Sequence, residues 1–169
     1  MPSAIINHMD KRAVMRGVIM ELERQKSELE AGLNSAKQAA KDSPSAMESH
    51  SDTTRNQMQI LATNFKTMAE EKEIAIRSLN KLLDSGKNHF DSVKDGAVIE
   101  TEGENKEKRF YAVVPEGGAG ATVNENGIMV TSITLKTPLG KALADRKTGE
   151  TATLLGKNGE RKIKILSII

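Results

Sequence analysis

The segment Lys41-Asp42-Ser43-Pro44-Ser45 lies between two long stretches whose apolar residues recur at helical spacing, and it decides the architecture. Pro44 lacks an amide hydrogen and its ring clashes with a preceding turn, so it ends the first stretch, yet its fixed φ suits the first turn of the second. Upstream, from about Met9 to Asp42, Met15, Leu22, Leu29 and Ala36 fall at heptad spacing, flanked by Val18, Ile19, Leu33, Ala39 and Ala40. Downstream, from about Ala46 to Ser85, one column holds Met47, Leu61, Met68, Ala75 and Leu82, and another holds Met58, Phe65 and Leu79. Each stretch predicts an amphipathic helix. Helices of matching length joined so tightly bury their stripes against each other, as an antiparallel coiled-coil hairpin. At 1.5 Å rise, about 34 residues make an arm of roughly 50 Å. Gln25, Gly32, Lys72 and the alanines near the turn thin the seam, so a slim distal end is expected.

After Gly86 the period changes. Ala97–Glu100, Arg109–Val114, Ile128–Val130, Thr151–Leu155 and Ile163–Leu166 carry the β-branched and apolar residues of strands, punctuated by glycine, asparagine and proline. Asn158-Gly159 signals a hairpin turn, and Pro138 to Ala144 a short helix capped by Thr137. Gly117-Gly118-Ala119-Gly120 lacks the Lys-Ser/Thr pair of a phosphate loop and reads as a flexible connection between strands. The fold class is α+β: a coiled-coil hairpin over residues 1–86, with its tip at about 42–52, then a small antiparallel sheet domain with one helix over 87–169.

Composition agrees with a thin-cored molecule. Only four aromatic residues occur (Phe65, Phe90, Phe110 and Tyr111), against 28% charged and 37% apolar residues. A formal charge of +2 with no block of like charge gives no sign of a nucleic-acid arm or a membrane anchor. Cysteine is absent, which excludes a disulfide framework, thiolate metal sites and a cysteine nucleophile. No stretch has the apolar length of a membrane span or of a secretory leader, so a cytoplasmic protein is expected, and a monomer is the expected state.

Thr137-Pro138-Leu139-Gly140-Lys141-Ala142-Leu143, then Arg146-Lys147-Thr148-Gly149-Glu150 and the hairpin around Asn158-Gly159-Glu160, resembles the end of the GreA/GreB family of bacterial transcription elongation factors. That family also sets an amino-terminal coiled-coil hairpin before an FKBP-like domain. The resemblance implies that RNA polymerase is the partner. The carboxy-terminal domain would dock at the rim of its secondary channel through residues such as Thr137, Pro138, Leu139 and Lys141, while the arm reaches inward. It further implies that acidic tip residues share a Mg²⁺ ion with the polymerase active site and promote cleavage of backtracked RNA, with no catalysis or cofactor of the chain's own.

The family's Asp-x-x-Glu-Asn tip is not preserved. Here Glu48 and Asp52 lie four apart on one helical face, with Asp42 across the turn as a third carboxylate, and hard oxygen donors of this kind suit Mg²⁺. Ser45-x-x-Glu48 equally fits a capping box, with Asp52 beside Arg55 or the helix dipole. Both roles stay open for these residues. Arg12, Arg16 and Arg24, with Lys11 and Lys26, crowd the first helix as a solvated flank or as a face toward nascent RNA. His8, His50 and His89 lack metal-ligand spacing. Prolyl isomerase activity is disfavoured because little aromatic lining exists beyond Phe110 and Tyr111, and a chaperone-like coiled coil would require a long apolar stripe on the outer face.

Overall fold

A computed structural model describes residues 9–42, 49–86, 89–156 and 159–169. Two long helices, α1 (Lys11–Asp42) and α2 (Ser49–Asp84), run antiparallel. Helix α1 starts at Lys11 and not at Met9, because the Asp10 carboxylate caps it by accepting the Arg12 amide at 2.8 Å.

The seam passes through Met15, Val18, Leu22, Leu29, Gly32 and Ala36 of α1 and through Leu79, Ile76, Ala69, Phe65, Ala62 and Met58 of α2, a 3–4 spacing on both sides. The second column predicted for α2 therefore lies in the seam. Of the first column, Met47 lies outside the described residues, Ala75 and Leu82 turn toward the sheet, and Leu61 and Met68 are exposed, at 39% and 47%. Small residues explain this rotation. Ala36 and Ala40 on α1 and Ala62 and Ala69 on α2 are buried and draw the helices together, and the Phe65 ring fills the space over Gly32, where a Cβ would lie 3.0 Å from it. Across the seam Lys26 pairs with Glu73.

The carboxy-terminal half is a six-stranded sheet of β1 (Val98–Glu102), β2 (Lys108–Val113), β3 (Thr122–Glu125), β4 (Ile128–Ile133), β5 (Thr151–Gly156) and β6 (Gly159–Ile168), in the order β3-β4-β2-β1-β6-β5. All neighbours are antiparallel except β2 and β4, which run parallel. The sheet is thus mixed where an antiparallel one was expected, because the chain leaves β2, crosses by the glycine loop to β3 at the edge and returns through a hairpin to β4. Strand β3 was not anticipated. Its turn is Asn126-Gly127, both residues at positive φ (53° and 85°), as a tight hairpin requires.

Helix α3 (Pro138–Leu143) opens as predicted. The Thr137 hydroxyl accepts the Gly140 amide at 3.1 Å and donates to the Thr134 carbonyl at 2.8 Å. A Cβ on Gly140 would lie 2.0 Å from that carbonyl, so this turn of the motif admits only glycine.

Two cores sandwich the sheet. On one face the arm base (Val14, Val18, Leu22, Ala75, Leu79) packs on Val98, Ala112, Val114 and Val130. On the other, Phe90, Val93 and Leu143 of α3 pack on Ile99, Val113, Ala152 and Ile165. The sheet also buries one carboxylate: Glu100 is fully buried, 2.9 Å from the Lys108 ammonium, and accepts from the Ser167 hydroxyl at 3.2 Å.

Candidate functional site

Three regions carry the candidate residues: the arm tip, the arm base where helices meet sheet, and a groove on the face opposite the arm. At the tip, Asp42 ends α1 exposed to solvent and accepts a hydrogen bond from Gln38 Nε2 at 2.9 Å. Asp52 lies in the first described turn of α2, ten residues of chain away from Asp42. Glu48 and its alternative capping partner Ser45 lie outside the described residues. Among the described residues no cluster of histidines and carboxylates is placed to hold a metal ion.

The base fixes the arm to the sheet through the glycine loop, which is not a loose connection. Two seam positions of the coiled coil are polar, and both point at this loop: Lys72 Nζ donates to the Ala119 carbonyl at 3.2 Å and Gln25 Nε2 to the Gly120 carbonyl at 3.4 Å. Partial burial of Lys72 pulls its pKa below the ordinary lysine value. Gly117, at φ +86°, comes so close to α2 that a Cβ would lie 2.4 Å from the Glu71 carbonyl oxygen. Gly17 plays the same part on α1, where a Cβ would meet Val123 of β3 at 3.2 Å. In the sequence these polar seam residues look like flaws in a heptad pattern. A glycine run and two polar seam positions give no hint that they meet across 47 and 95 residues of chain.

Two of the three basic candidates of α1 are engaged in contacts within the arm. Arg12 Nη2 donates to the Leu83 carbonyl at 3.2 Å and so closes the end of α2. Arg24 bridges Glu21 and Glu28 along its own helix. The hydrogen bond from Arg24, reinforced by Gln25, lowers the Glu21 pKa to about 2. Arg16 is exposed.

On the far face a groove of about 420 Å³ runs between β2, β6, β5 and α3. Tyr111, Leu139, Leu154 and Ile163 give it apolar surface, and Arg109 and Arg161 add charge. Of the four docking candidates, Leu139 lines this groove, Thr137 caps α3, and Pro138 and Lys141 are exposed beside it. The groove residues of β2, β5 and β6 escaped the sequence reading, although Tyr111, the one tyrosine, stands in a strand where an amphipathic ring is a plausible surface contact.

Residues 87–169, just under half of the chain, match the family described as transcription elongation factor GreA/GreB, carboxy-terminal. Among solved structures the chain is similar to the GreA factor homolog 1 (Gfh1) protein of Thermus thermophilus, at 20% identity over 89% of this chain and 94% of that one, with a TM-score of 0.36. Gfh1 of Thermus aquaticus is similar at 21% identity over 90% and 94%, with a TM-score of 0.38. A prokaryotic transcription elongation factor GreA/GreB from Nitrosomonas europaea is similar at 15% identity over 57% and 78%, with a TM-score of 0.38. No curated protein matches the chain. The structural likenesses are low in identity and in superposition, so the assignment rests on the matched half, which contains the Thr137–Leu143 motif and the β5–β6 hairpin. By that match residues 87–169 form a carboxy-terminal domain of the GreA/GreB transcription elongation factor type.

Proposed function

We propose that this protein binds bacterial RNA polymerase in the cytoplasm, docks its sheet domain at the rim of the secondary channel and extends the arm inward to modulate elongation. The observation that carries this reading is a slender arm seated on the family-matched sheet. Beyond Gln25, which reaches the glycine loop, α1 continues for 17 residues to Asp42, about 25 Å of helix with an alanine-rich seam. Such a rod adds little core, and its shape suits the delivery of a few side chains down a narrow passage. Docking is assigned to the α3 motif and the adjoining groove, where Leu139 and Tyr111 offer apolar surface. No described helix is long and apolar enough to cross a membrane.

In this proposal Glu48, Asp52 and Asp42 supply part of a ligand set to a Mg²⁺ ion that the polymerase holds, and the chain has no catalytic activity of its own. Few protein ligands suffice, because Mg²⁺ keeps several of its waters. The altered tip favours a second reading, in which the arm occupies the channel and tunes the polymerase without promoting cleavage. Arg16 remains the basic candidate for contact with extruded RNA, since Arg12 and Arg24 are engaged within the arm.

A stalled, backtracked elongation complex tests both. Accelerated RNA cleavage that Glu48→Ala/Asp52→Ala abolishes supports the acidic-tip reading. Polymerase binding without acceleration supports channel occupancy alone, and no binding at all refutes the proposal.

A further inference from the structure

Helix α2 carries three rows of side chains. The seam row packs on α1. A charged row, Lys66, Glu70, Glu73 and Arg77, lies on one flank and is held by the Lys66–Glu70 pair at 3.7 Å and the Arg77–Glu73 pair at 2.9 Å. At about 100° of turn per residue, the opposite flank is the row Gln57, Leu61, Asn64, Met68, Ala75 and Leu82. Charge enters that flank at one level, where Glu71 and Lys72 meet the glycine loop.

The lower half of this row is covered within the chain. Ala75 is fully buried, Leu82 packs into the core against the sheet, and at the next level the Glu71 carbonyl backs on Gly117. Past the loop the row continues at the same spacing, and nothing among the described residues covers it: Met68 is 47% exposed, Leu61 39%, and Asn64 and Gln57 are exposed. Ile60 beside it is 62% exposed, and no charged residue occurs from Asn56 to Phe65. Because the covered half meets the sheet, the bare half looks past the end of the sheet in the direction of its far face. The docking motif starts at that end: Lys136, next to Thr137, pairs with Glu116 at the start of the glycine loop.

We infer that the bare row is a second contact for RNA polymerase, made by an uncharged, apolar protein surface that adjoins the element held by the α3 motif. This contact depends on the docking proposed above, since the motif and the row flank one loop.

Charge, area and position select this occupant. Extruded RNA requires cations, whereas the bare row offers none over about 16 Å and is bordered by the Glu71 carboxylate. A second copy would find a strip of about 16 by 10 Å, roughly 160 Å² per partner, well short of the about 500 Å² that a stable interface needs on each side. So small a strip serves a partner already anchored nearby, because a tethered second contact forms at high effective concentration. The polymerase seated on Thr137 and Pro138 is that partner, one loop away.

Equilibrium binding of the labelled full chain to bacterial RNA polymerase core enzyme reads this contact. Met68→Glu and Met68→Lys should each raise Kd about tenfold, since either charge loses its water against an apolar surface. Asn64→Glu, at an exposed polar position, should do the same, whereas Gln59→Glu on the charged flank should change Kd less than about twofold. The far-UV spectrum stays unchanged throughout. Unchanged Kd for the Met68 and Asn64 variants overturns the second contact, and weakening by Lys141→Glu at the docking motif in the same experiment shows that the docking itself stands. Opposite effects of the two Met68 charges, or an effect at Gln59 equal to that at Met68, overturn it as well. So does a wild-type dimer in sedimentation velocity that Met68→Glu dissolves, which assigns the row to a second copy. A wild-type chain that does not bind the polymerase refutes the docking and this contact with it.

Discussion

Replacing Gly117 by alanine tests how the arm is held. The residue has φ +86°, and an added Cβ would lie 2.4 Å from the Glu71 carbonyl oxygen and 2.9 Å from its carbon. Backbone on both sides cannot yield, so the loop must move off α2 by about 1 Å to reach ordinary contact. That shift takes the Lys72–Ala119 bond from 3.2 Å, and the Gln25–Gly120 bond from 3.4 Å, beyond hydrogen-bonding range. The left-handed backbone costs about 1 kcal/mol and the two lost bonds about 2 kcal/mol together, giving about 3 kcal/mol. Gly120→Ala is the internal control: it has the same φ, +86°, with nothing within 4 Å of the added methyl, so only the backbone cost of about 1 kcal/mol applies. For a chain of this length the melting temperature should fall by roughly 6–12 °C for Gly117→Ala and 2–4 °C for Gly120→Ala, followed by far-UV circular dichroism. In a double-mutant cycle, Gly117→Ala and Lys72→Met should be less than additive, since both remove the Lys72–Ala119 bond. Equal losses for the two glycine variants, or full additivity with Lys72→Met, would refute the idea that this loop clamps the arm.

Two further outcomes follow from named groups. Glu21, whose carboxyl pKa is lowered to about 2 by Arg24 and Gln25, stabilises the fold fully above its ordinary value of 4.5, and the contribution disappears as pH falls from 4.5 through 2. The advantage of wild type over Glu21→Gln in urea unfolding should therefore shrink across that window and be unchanged between pH values of about 6 and 8. Lys108→Met leaves the fully buried Glu100 carboxylate with the Ser167 hydroxyl at 3.2 Å but without its ammonium partner, and should cost about 2–3 kcal/mol by urea titration, whereas the double variant Lys108→Met/Glu100→Gln recovers most of it.

The two long helices and the change to strands after Gly86 were legible because each is a local pattern, a helical period or a cluster of β-branched residues, while the Pro44 turn lies outside the described residues. The α3 motif was legible for the same reason, with Thr137 as its cap and Pro138 in its first turn. The seam of α2 was half legible. Met58, Phe65 and Leu79 lie in it, whereas Leu61 and Met68 do not, because hydrophobicity alone favours the larger side chain and the seam instead follows the alanines that let the helices approach. Strand β3 is short and polar and was missed, although Asn126-Gly127 is a hairpin signal of the same kind as Asn158-Gly159.

By itself the sequence determined the two long helices and every strand but β3, and it placed the Thr137–Leu143 motif on a helix start, since these depend on contacts within a few residues. Only the tertiary structure decided the parallel pairing of β2 with β4, the rotation of α2, the bare half of its outer row and the use of Gln25, Lys72 and Gly117 as one clamp. Each of those depends on which distant groups come into contact, and a polar residue in a heptad or a glycine in a loop has no locally readable purpose until its partner is brought within hydrogen-bonding or van der Waals distance.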